Sequence, residues 1–384
     1  MRHLYKHHLE SLRSQKSKFS LSIYCVLCYL CPPFSKYVQI RILFINFNWN
    51  RLVAGKLCKC DPIIRIGKKH QIIGQSVLFM NTEINEYLGI PYAKPPIGDL
   101  RFKKTKPLRP CPEVVNAKRL PPACPQYSED PYPWYVNSSY QSEDCLYLNI
   151  WTPADASPEN RKAVMYWIHG GAYKYGSISE LYSGVPLAAF GNIIVVTVNY
   201  RLGPLGFLSL GTKDAPGNAG LWDVLEGLRW VNRNIVYFGG DELRITIAGE
   251  SVGSSMVGFL AVSPLAKGLF ARQIMQSGSP AEPTSTNSTR NILLAQKLAE
   301  TVGCAGDNST VQDDPEDVIQ CLKDVDSDTL IEASYRLDPL SQLDFVPQQG
   351  DKLLPVNPSS AIFEGSFRCR QLLIGVTKDE GSRM

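Results

Sequence analysis

A serine between two glycines follows an apolar run in the stretch ITIAGESVGSS, residues 245–255. Leu243 to Ala248 has the β-branched and aliphatic character of a buried strand, and the residues after Gly253 are compatible with a helix. A strand, a sharp turn and a helix in this order push a serine hydroxyl out of the edge of a sheet, and the turn leaves no room for flanking side chains. The pattern therefore predicts that Ser251 is a nucleophile.

A second glycine-rich turn could stabilise the charge that such a nucleophile creates. His169-Gly-Gly-Ala follows the apolar run AVMYWI. The N–H groups of Gly171 and Ala172, together with that of Val252 just after the serine, are therefore candidates for an oxyanion hole. Either turn alone could be an ordinary turn, and a buried serine is usually only hydrogen-bonded. The two turns in this order, on successive predicted strand ends, favour the catalytic interpretation.

Five short apolar runs could carry these turns. Each places four to six apolar or β-branched residues before a polar or glycine-containing turn: AVMYWIHGG, NIIVVTVNYR, LRITIAGES, ARQIMQSGS and QLLIGVTKDE. Unalternating runs of this length are typical of strands buried on both faces of a mainly parallel sheet. LWDVLEGLRWVNRNI and SSMVGFLAVS are predicted helices between them. The sequence thus predicts an α/β fold with chemistry at the strand ends.

Composition divides the 384 residues into a leader and a body. Hydrophobic residues make up 44% and charged residues 20%, which predicts a large core. Residues 1–60 hold ten Lys or Arg and one acid, Glu10, whereas the rest holds 30 basic and 35 acidic residues. The mildly acidic body has no basic stripe for nucleic acid. No repeat or low-complexity linker splits residues 61–384, so we interpret them as one domain.

The leader resembles a secretory signal. Basic residues precede the apolar run SLSIYCVLCYLC, which Pro32 and Pro33 then stop, and the run is short for a bilayer span. An anchor associated with the membrane stays open as an alternative. Three glycosylation tripeptides, at Asn137, Asn287 and Asn308, support a secreted or extracellular glycoprotein.

At this point the chain resembles the type-B carboxylesterase family, which includes the cholinesterases. The resemblance spans residues 61–384 and rests on EYLGIPYAKPPIGDLRF, SEDCLYLNIWTP, WIHGGAYKYG, VTVNYRLGPLGFL, GNAGLWD, FGGDELRITIAGESVG and IGVTKDEGS. It implies an α/β-hydrolase fold, a mainly parallel central sheet flanked by helices. It also implies cleavage of carboxylic esters through an acyl-enzyme on Ser251.

The resemblance assigns further residues. Glu380, in TKDEGS, matches the acid that follows the nucleophile in this fold. Cys124 is paired with Cys145, and Cys304 with Cys321. The role of Glu380 and the two cysteine pairs are expectations carried over from the family. Without the match, Glu380 would be an ordinary surface residue.

The general base is the missing part of the expected triad. All five histidines, at positions 3, 7, 8, 70 and 169, precede Ser251, whereas the fold places its base after the acid. One interpretation is a piece of an active esterase that lacks the C-terminal strand, helices and histidine, whose loss should expose apolar surface on the sheet. The other is a noncatalytic, neuroligin-like binding protein. Retention of Ser251, Glu250 and Glu380 favours the first, and the transcript beyond codon 384 would discriminate them.

Four residues bear on which ester is cleaved. Trp134 and Glu250 resemble the tryptophan and acid with which cholinesterases bind a quaternary ammonium, although Glu250 could equally be a buried polar residue held by hydrogen bonds. In SQLDFVP, Ser341 and Leu343 stand where acetylcholinesterases carry aromatic rings, so we expect bulkier acyl groups to fit. A general carboxylesterase acting on a small-molecule ester is preferred, with a cholinesterase-like enzyme as the alternative. No cofactor or metal motif is present, and the sequence leaves the oligomeric state open.

Overall fold

The computed structural model describes residues 61–109, 111–127, 140–281, 285–286, 288–306, 309–337, 343–367 and 371–380. Residues 1–60 and 61–384 form two separate units, and the first lies wholly outside the described residues. The three glycosylation asparagines, Trp134 and Ser341 also lie outside them. None of the described helices combines the length and apolar character needed to cross a bilayer.

A large sheet of eight strands organises residues 61–384, and three strands form a smaller sheet beside it. The small sheet contains β1 (Ile63–Ile66), β2 (His70–Ile73) and β5 (Val114–Asn116). The large sheet contains β3 (Gln75–Phe79), β4 (Thr82–Pro91), β6 (Tyr147–Pro153), β7 (Lys162–Ile168), β8 (Ile194–Val198), β9 (Gly240–Glu250), β10 (Arg272–Gln276) and β11 (Leu372–Gly375).

The order of strands in the large sheet is β11-β10-β9-β7-β8-β6-β4-β3. Five neighbouring strands of this order pair in parallel, namely β11, β10, β9, β7 and β8. The strands β6, β4 and β3 add an antiparallel edge next to β8. The five apolar runs of the sequence are these five parallel strands, so the prediction of a mainly parallel sheet is confirmed. Their carboxyl ends meet along one edge of the sheet.

Eight described α-helices accompany the sheets. They are α1 (Val185–Gly191), α2 (Gly203–Phe207), α3 (Ala219–Asn234), α4 (Val252–Val262), α5 (Ser288–Thr301), α6 (Pro315–Asp324), α7 (Ser327–Leu337) and α8 (Pro358–Phe363). Both predicted helices, α3 and α4, are confirmed. Short 3-10 helices cover Gly98–Leu100, Glu180–Tyr182, Ile235–Phe238 and Pro264–Ala266.

Most of the core lies on the inner strands and on α3 and α4. Every residue of β8 is buried, and ten of the eleven residues of α4 are buried. A helix that is apolar all round, as α4 is, belongs inside a protein. The strand β9 and the helix α4 on either side of Ser251 are therefore both anchored in the core.

The outermost parallel strand departs from the prediction of strands buried on both faces. All four residues of β11 are exposed, among them Leu373 at 65% and Ile374 at 55%. The physical reason is its position: β11 pairs only with β10, and no described helix covers it. Apolar surface is thus open at this edge of the sheet.

Two disulfide bonds close short loops, and they are the pairs that the resemblance implied. Cys124 is bonded to Cys145, and Cys304 to Cys321. The second bond joins the loop after α5 to α6. Bonds that close loops of this length stabilise a fold by roughly 3 kcal/mol each in the loop-entropy account.

Candidate active site

Ser251 occupies a strained turn between β9 and α4. Its φ of 54° and ψ of −129° lie outside the regions that residues with a side chain normally adopt. The turn is held in place by main-chain hydrogen bonds, since the Ser251 N–H donates to the Gln276 carbonyl over 2.9 Å and the Ser255 N–H donates to the Ser251 carbonyl over 3.1 Å. The strand, turn and helix predicted around Ser251 are present.

Glycines around this turn let three backbone segments approach one another. A methyl group built on Gly253 would lie 2.2 Å from the Ile168 carbonyl oxygen, at the end of the neighbouring strand β7. One built on Gly278, after β10, would lie 2.2 Å from the Ser251 carbonyl oxygen. Both separations are too short for real atoms. Ser251 is therefore closely packed between the ends of β7 and β10.

The glycine turn, residues 169–173, follows β7 and lies against the serine. A methyl group on Gly170 would lie 3.1 Å from the Ser251 Cβ atom. The next three residues have positive φ angles, 106° at Gly171, 54° at Ala172 and 61° at Tyr173. Within the described part of the chain, the N–H groups of Gly171 and Ala172 donate to no other group.

The third expected amide is that of Val252, the first residue of α4. The first N–H groups of a helix have no partner inside the helix, and they carry its positive dipole end. The structure therefore brings Val252 and the glycine turn to the two sides of Ser251. Amides of this kind can donate to an oxygen that develops negative charge.

His169 supports the glycine turn from inside. Its side chain is buried, its Nδ1 lies 2.8 Å from the Gly170 carbonyl oxygen, and its ring stacks on that of Tyr200 at 4.4 Å between centroids. Burial lowers the pKa of His169 from 6.5 to about 4, partly opposed by the bond to Gly170. A neutral imidazole engaged in this way serves as a structural element of the turn.

The remaining described histidine, His70, belongs to the small sheet. It lies on β2, and its Nδ1 is 3.0 Å from the Pro112 carbonyl oxygen. Neither His70 nor His169 forms a hydrogen bond with Ser251. That neither of these histidines supplies the base stays a prediction.

Two carboxylates approach the same edge of the sheet. Glu380 is exposed and accepts hydrogen bonds from the Thr377 N–H at 2.9 Å and the Thr377 hydroxyl at 3.1 Å. A hydrogen bond from Ser277 and those from Thr377 lower the pKa of Glu380 below its usual value. Half-buried Glu250 has a raised pKa because of burial, with a smaller contribution from the negative charge of Glu380.

Ser277 is a residue that the sequence analysis missed. It follows β10 with a positive φ of 50°, its N–H donates to the Gly375 carbonyl, and its hydroxyl reaches Glu380. The available signal was the Ser-Gly pair directly after a predicted strand, since a serine and a glycine also follow the strand before Ser251. Ser277 connects β10, which lies next to Ser251, with the turn after β11 that carries Glu380.

The residues expected to select the ester are described only in part. Trp134 and Ser341 lie outside the described residues. Leu343 is partly buried and packs against the main core. Glu250 lies beside the glycine turn, since a methyl group on Gly170 would approach its Oε2 to 2.7 Å.

A strained serine between a parallel strand and a helix, facing a glycine turn, is the nucleophile arrangement of the α/β-hydrolase class. The model of the family described as "Carboxylesterase family" matches residues 61–384. The chain belongs to this family, and the expected α/β-hydrolase fold is confirmed.

Curated relatives at about 40% identity include three esterases. Acetylcholinesterase-1 of Trittame loki is 42% identical over 89% of this chain and 61% of its own length. Acetylcholinesterase of Danio rerio is 41% identical over 77% of this chain and 48% of its own length. Acetylcholinesterase of Electrophorus electricus is 40% identical over 89% of this chain and 54% of its own length. The chain therefore spans about half to three fifths of the length of these relatives.

Proposed function

We propose that this protein hydrolyses carboxylic esters through an acyl-enzyme intermediate on Ser251. The observation that carries the proposal is the strained serine at the end of β9, with the glycine turn packed against its Cβ atom. A strained backbone at a position enclosed by close packing is typical of functional sites. Membership of the carboxylesterase family supports the same reaction.

In the proposed mechanism, the Ser251 hydroxyl attacks the carbonyl carbon of the ester. The oxygen of the tetrahedral intermediate accepts hydrogen bonds from the N–H groups of Gly171, Ala172 and Val252. Because these amides are fixed by the fold, they need no reorganisation as the charge develops. The alcohol then leaves, and water attacks the acyl-enzyme to release the acid and free Ser251.

The hydroxyl must lose its proton, and the proposal assigns Glu380 to orient and stabilise the base that receives it. The hydrogen bonds from Thr377 and Ser277 keep the Glu380 carboxylate ionised, which suits this role. Neither described histidine fits the base, since the buried one is tied to Gly170 and the other lies on the small sheet. The proposal therefore requires a histidine other than these two.

For the substrate, we favour esters with acyl groups larger than acetyl. Ser341 and Leu343 supply no aromatic ring to narrow the acyl side, which supports a general carboxylesterase. The names of the relatives favour a second candidate, a cholinesterase-like enzyme that would hold a cationic alcohol group with Trp134 and Glu250. Glu250 lies beside the glycine turn, where a methyl group on Gly170 would approach its Oε2 to 2.7 Å.

For location, the proposal is a secreted or extracellular enzyme whose residues 1–60 act as a leader and whose residues 61–384 form the hydrolase domain. The two disulfide bonds support an oxidising compartment. Whether the leader is removed or retained as an anchor decides between a free and a membrane-associated enzyme.

The test compares aryl acetate, aryl butyrate and acetylthiocholine as substrates for the protein expressed from its complete transcript. We expect aryl butyrate to be cleaved at least as fast as aryl acetate. Ser251→Ala should lower the rate by about a thousandfold or more. Ser255→Ala, one helical turn further along α4, is the matched control and should retain activity. A Ser251→Ala variant as active as the wild type would reject the mechanism, and a strong preference for acetylthiocholine would favour the second candidate.

A further inference from the structure

A buried ion pair connects the glycine turn to the segment expected to line the acyl side. Lys174 follows the glycine turn directly, and its Nζ lies 2.7 Å from Asp344 Oδ2. The Asp344 side chain is only 2% exposed and that of Lys174 is 15% exposed. Asp344 lies in SQLDFVP, one residue after Leu343. Two parts of the chain 170 residues apart thus meet through one charge pair.

The segment 343–348 depends on side chains from other elements for its position. Arg290, on α5, donates to the Asp344 carbonyl over 3.0 Å and to the Leu343 carbonyl over 2.9 Å. Asn218 exchanges two hydrogen bonds of 2.7 Å with the backbone of Gln348. These contacts fix the backbone of the segment relative to α5 and α3. The Asp344 side chain makes the link to the glycine turn.

The glycine turn also depends on contacts from outside itself. The Lys174 and Tyr175 N–H groups both donate to the Gly171 carbonyl, and the Gly203 N–H donates to the Tyr173 carbonyl over 2.7 Å. Three consecutive positive φ angles are a costly conformation that persists only where the surroundings enforce it. A carboxylate buried as deeply as Asp344 strongly favours keeping its cation in place, because an unpaired charge there would lack both water and a partner.

We infer that Lys174 and Asp344 are a pair of positioning residues that hold the glycine turn and the acyl-side segment at a fixed separation. The inference rests on the proposed function for its consequence in catalysis. If the amides of Gly171 and Ala172 stabilise the oxyanion, the pair sets the distance between the acyl-side segment and that oxyanion. The pair then tunes both the rate and the size of the acyl group that fits.

The test uses Lys174→Met, Lys174→Arg and Asp344→Asn in the protein expressed from its complete transcript. Lys323→Met is the matched control, because Lys323 is a lysine of similar burial, 5% exposed, that pairs with Asp214 at another place in the fold. Two properties are measured for each variant. They are the hydrogen exchange of the amides of residues 170–176, and kcat and KM for aryl acetate and aryl butyrate.

We expect Lys174→Met and Asp344→Asn to accelerate exchange in residues 170–176 by about tenfold or more, because the turn then opens more often. kcat for aryl acetate should fall by about tenfold, since a displaced oxyanion donor weakens transition-state binding. The ratio of butyrate to acetate turnover should rise, because an acyl-side segment that is no longer held in place leaves more room for the larger acyl group. Lys174→Arg should restore exchange and kcat. Lys323→Met should leave both unchanged, even where it lowers the melting temperature.

Unchanged exchange in residues 170–176 of both Lys174→Met and Asp344→Asn would overturn the inference. An acyl ratio that shifts equally in Lys323→Met would overturn it as well, because the effect would then follow general stability. If the wild type cleaves no ester, the proposed function fails, and the exchange measurement still decides whether the pair holds the turn.

Discussion

The end of β9 and the region just after β11 both present a candidate catalytic group at the same edge of the sheet, but they are built differently. The backbone around Ser251 is packed so closely that an added methyl group would collide with the Ile168 carbonyl if it were on Gly253 and with the Ser251 carbonyl if it were on Gly278. Glu380 is exposed, and its hydrogen bonds come from Thr377, three residues away, and from Ser277. No described helix covers the strand that precedes it, whereas β9 lies inside the sheet.

The difference indicates which contacts fix the position of each candidate catalytic group. The serine is positioned by the packing of β7, β9, β10 and α4, so its geometry is a property of the whole core. The carboxylate is positioned by the hydroxyl of Ser277 and by the short turn that begins at Thr377. A disturbance of packing should therefore damage the serine end strongly and the β11 end very little.

The largest expected effect is that of Gly253→Ala. Inside a helix, alanine is normally favoured over glycine by about 1 kcal/mol. Here the added methyl group would lie 2.2 Å from the Ile168 carbonyl and 2.7 Å from the His169 carbonyl, both of them backbone oxygens. We expect the collision to dominate and the free energy of unfolding to fall by about 3 kcal/mol, measured by urea denaturation.

The matched control is Gly375→Ala on β11. A methyl group there meets nothing within 4 Å. Because glycine is unfavourable within strands, alanine should leave the free energy of unfolding unchanged or raise it by about 0.5 kcal/mol. Equal losses at positions 253 and 375 would show that the two regions do not differ as described.

An intermediate effect on the free energy of unfolding is expected when the pH is lowered. The pKa of His169 falls from 6.5 to about 4 on folding, so the unfolded chain binds the proton more readily than the native protein does. This contribution to stability is present above pH 6.5 and is lost as the pH falls towards 4. We expect a loss of about 1 kcal/mol between pH 7 and pH 5.5 from this residue.

His169→Phe isolates that contribution, since phenylalanine can stack on Tyr200 and does not titrate. Urea denaturation at the two pH values should give a smaller pH dependence in the variant than in the wild type. An identical pH dependence would mean that His169 is not buried in its neutral form.

The smallest effect on stability is expected for Glu380→Gln. Glu380 is exposed, and glutamine retains an oxygen that can accept hydrogen bonds from Thr377. Calorimetry at neutral pH should therefore show no measurable change in melting temperature. The lowered pKa means that whatever the carboxylate contributes is present above its usual pKa and disappears as the pH falls through the lowered one. A clear fall in melting temperature at neutral pH would indicate that β11 and the turn after it are more tightly packed than the structure has them.

The sequence predicted the parts of the fold whose cause is local. Unbroken apolar runs predicted the five parallel strands, and the glycines around Ser251 predicted the turn, because periodicity and steric demand can be read from neighbouring residues. The exposure of β11 could not be read in this way. Its residues are as apolar as those of β8, and burial depends on what else packs against a strand.

Contacts between distant residues were also beyond sequence reasoning. Lys174 and Asp344 are ordinary charged residues in the sequence, and only the fold brings them together in the interior. Ser277 reaches Glu380 because β10 and β11 are neighbours. The catalytic role of Glu380 and the substrate-binding roles of Trp134 and Ser341 came from the resemblance to the family, and they remain predictions.

The most direct test of the central claim is covalent labelling by a fluorophosphonate probe, with the modified residue located by mass spectrometry. Ser251 has two neighbouring serines in the same peptide, Ser254 and Ser255, whose hydroxyls donate to the carbonyls of Gly278 and Ser279. The account predicts that the probe modifies Ser251 alone. Modification of Ser254 or Ser255, or labelling that survives in Ser251→Ala, would contradict it.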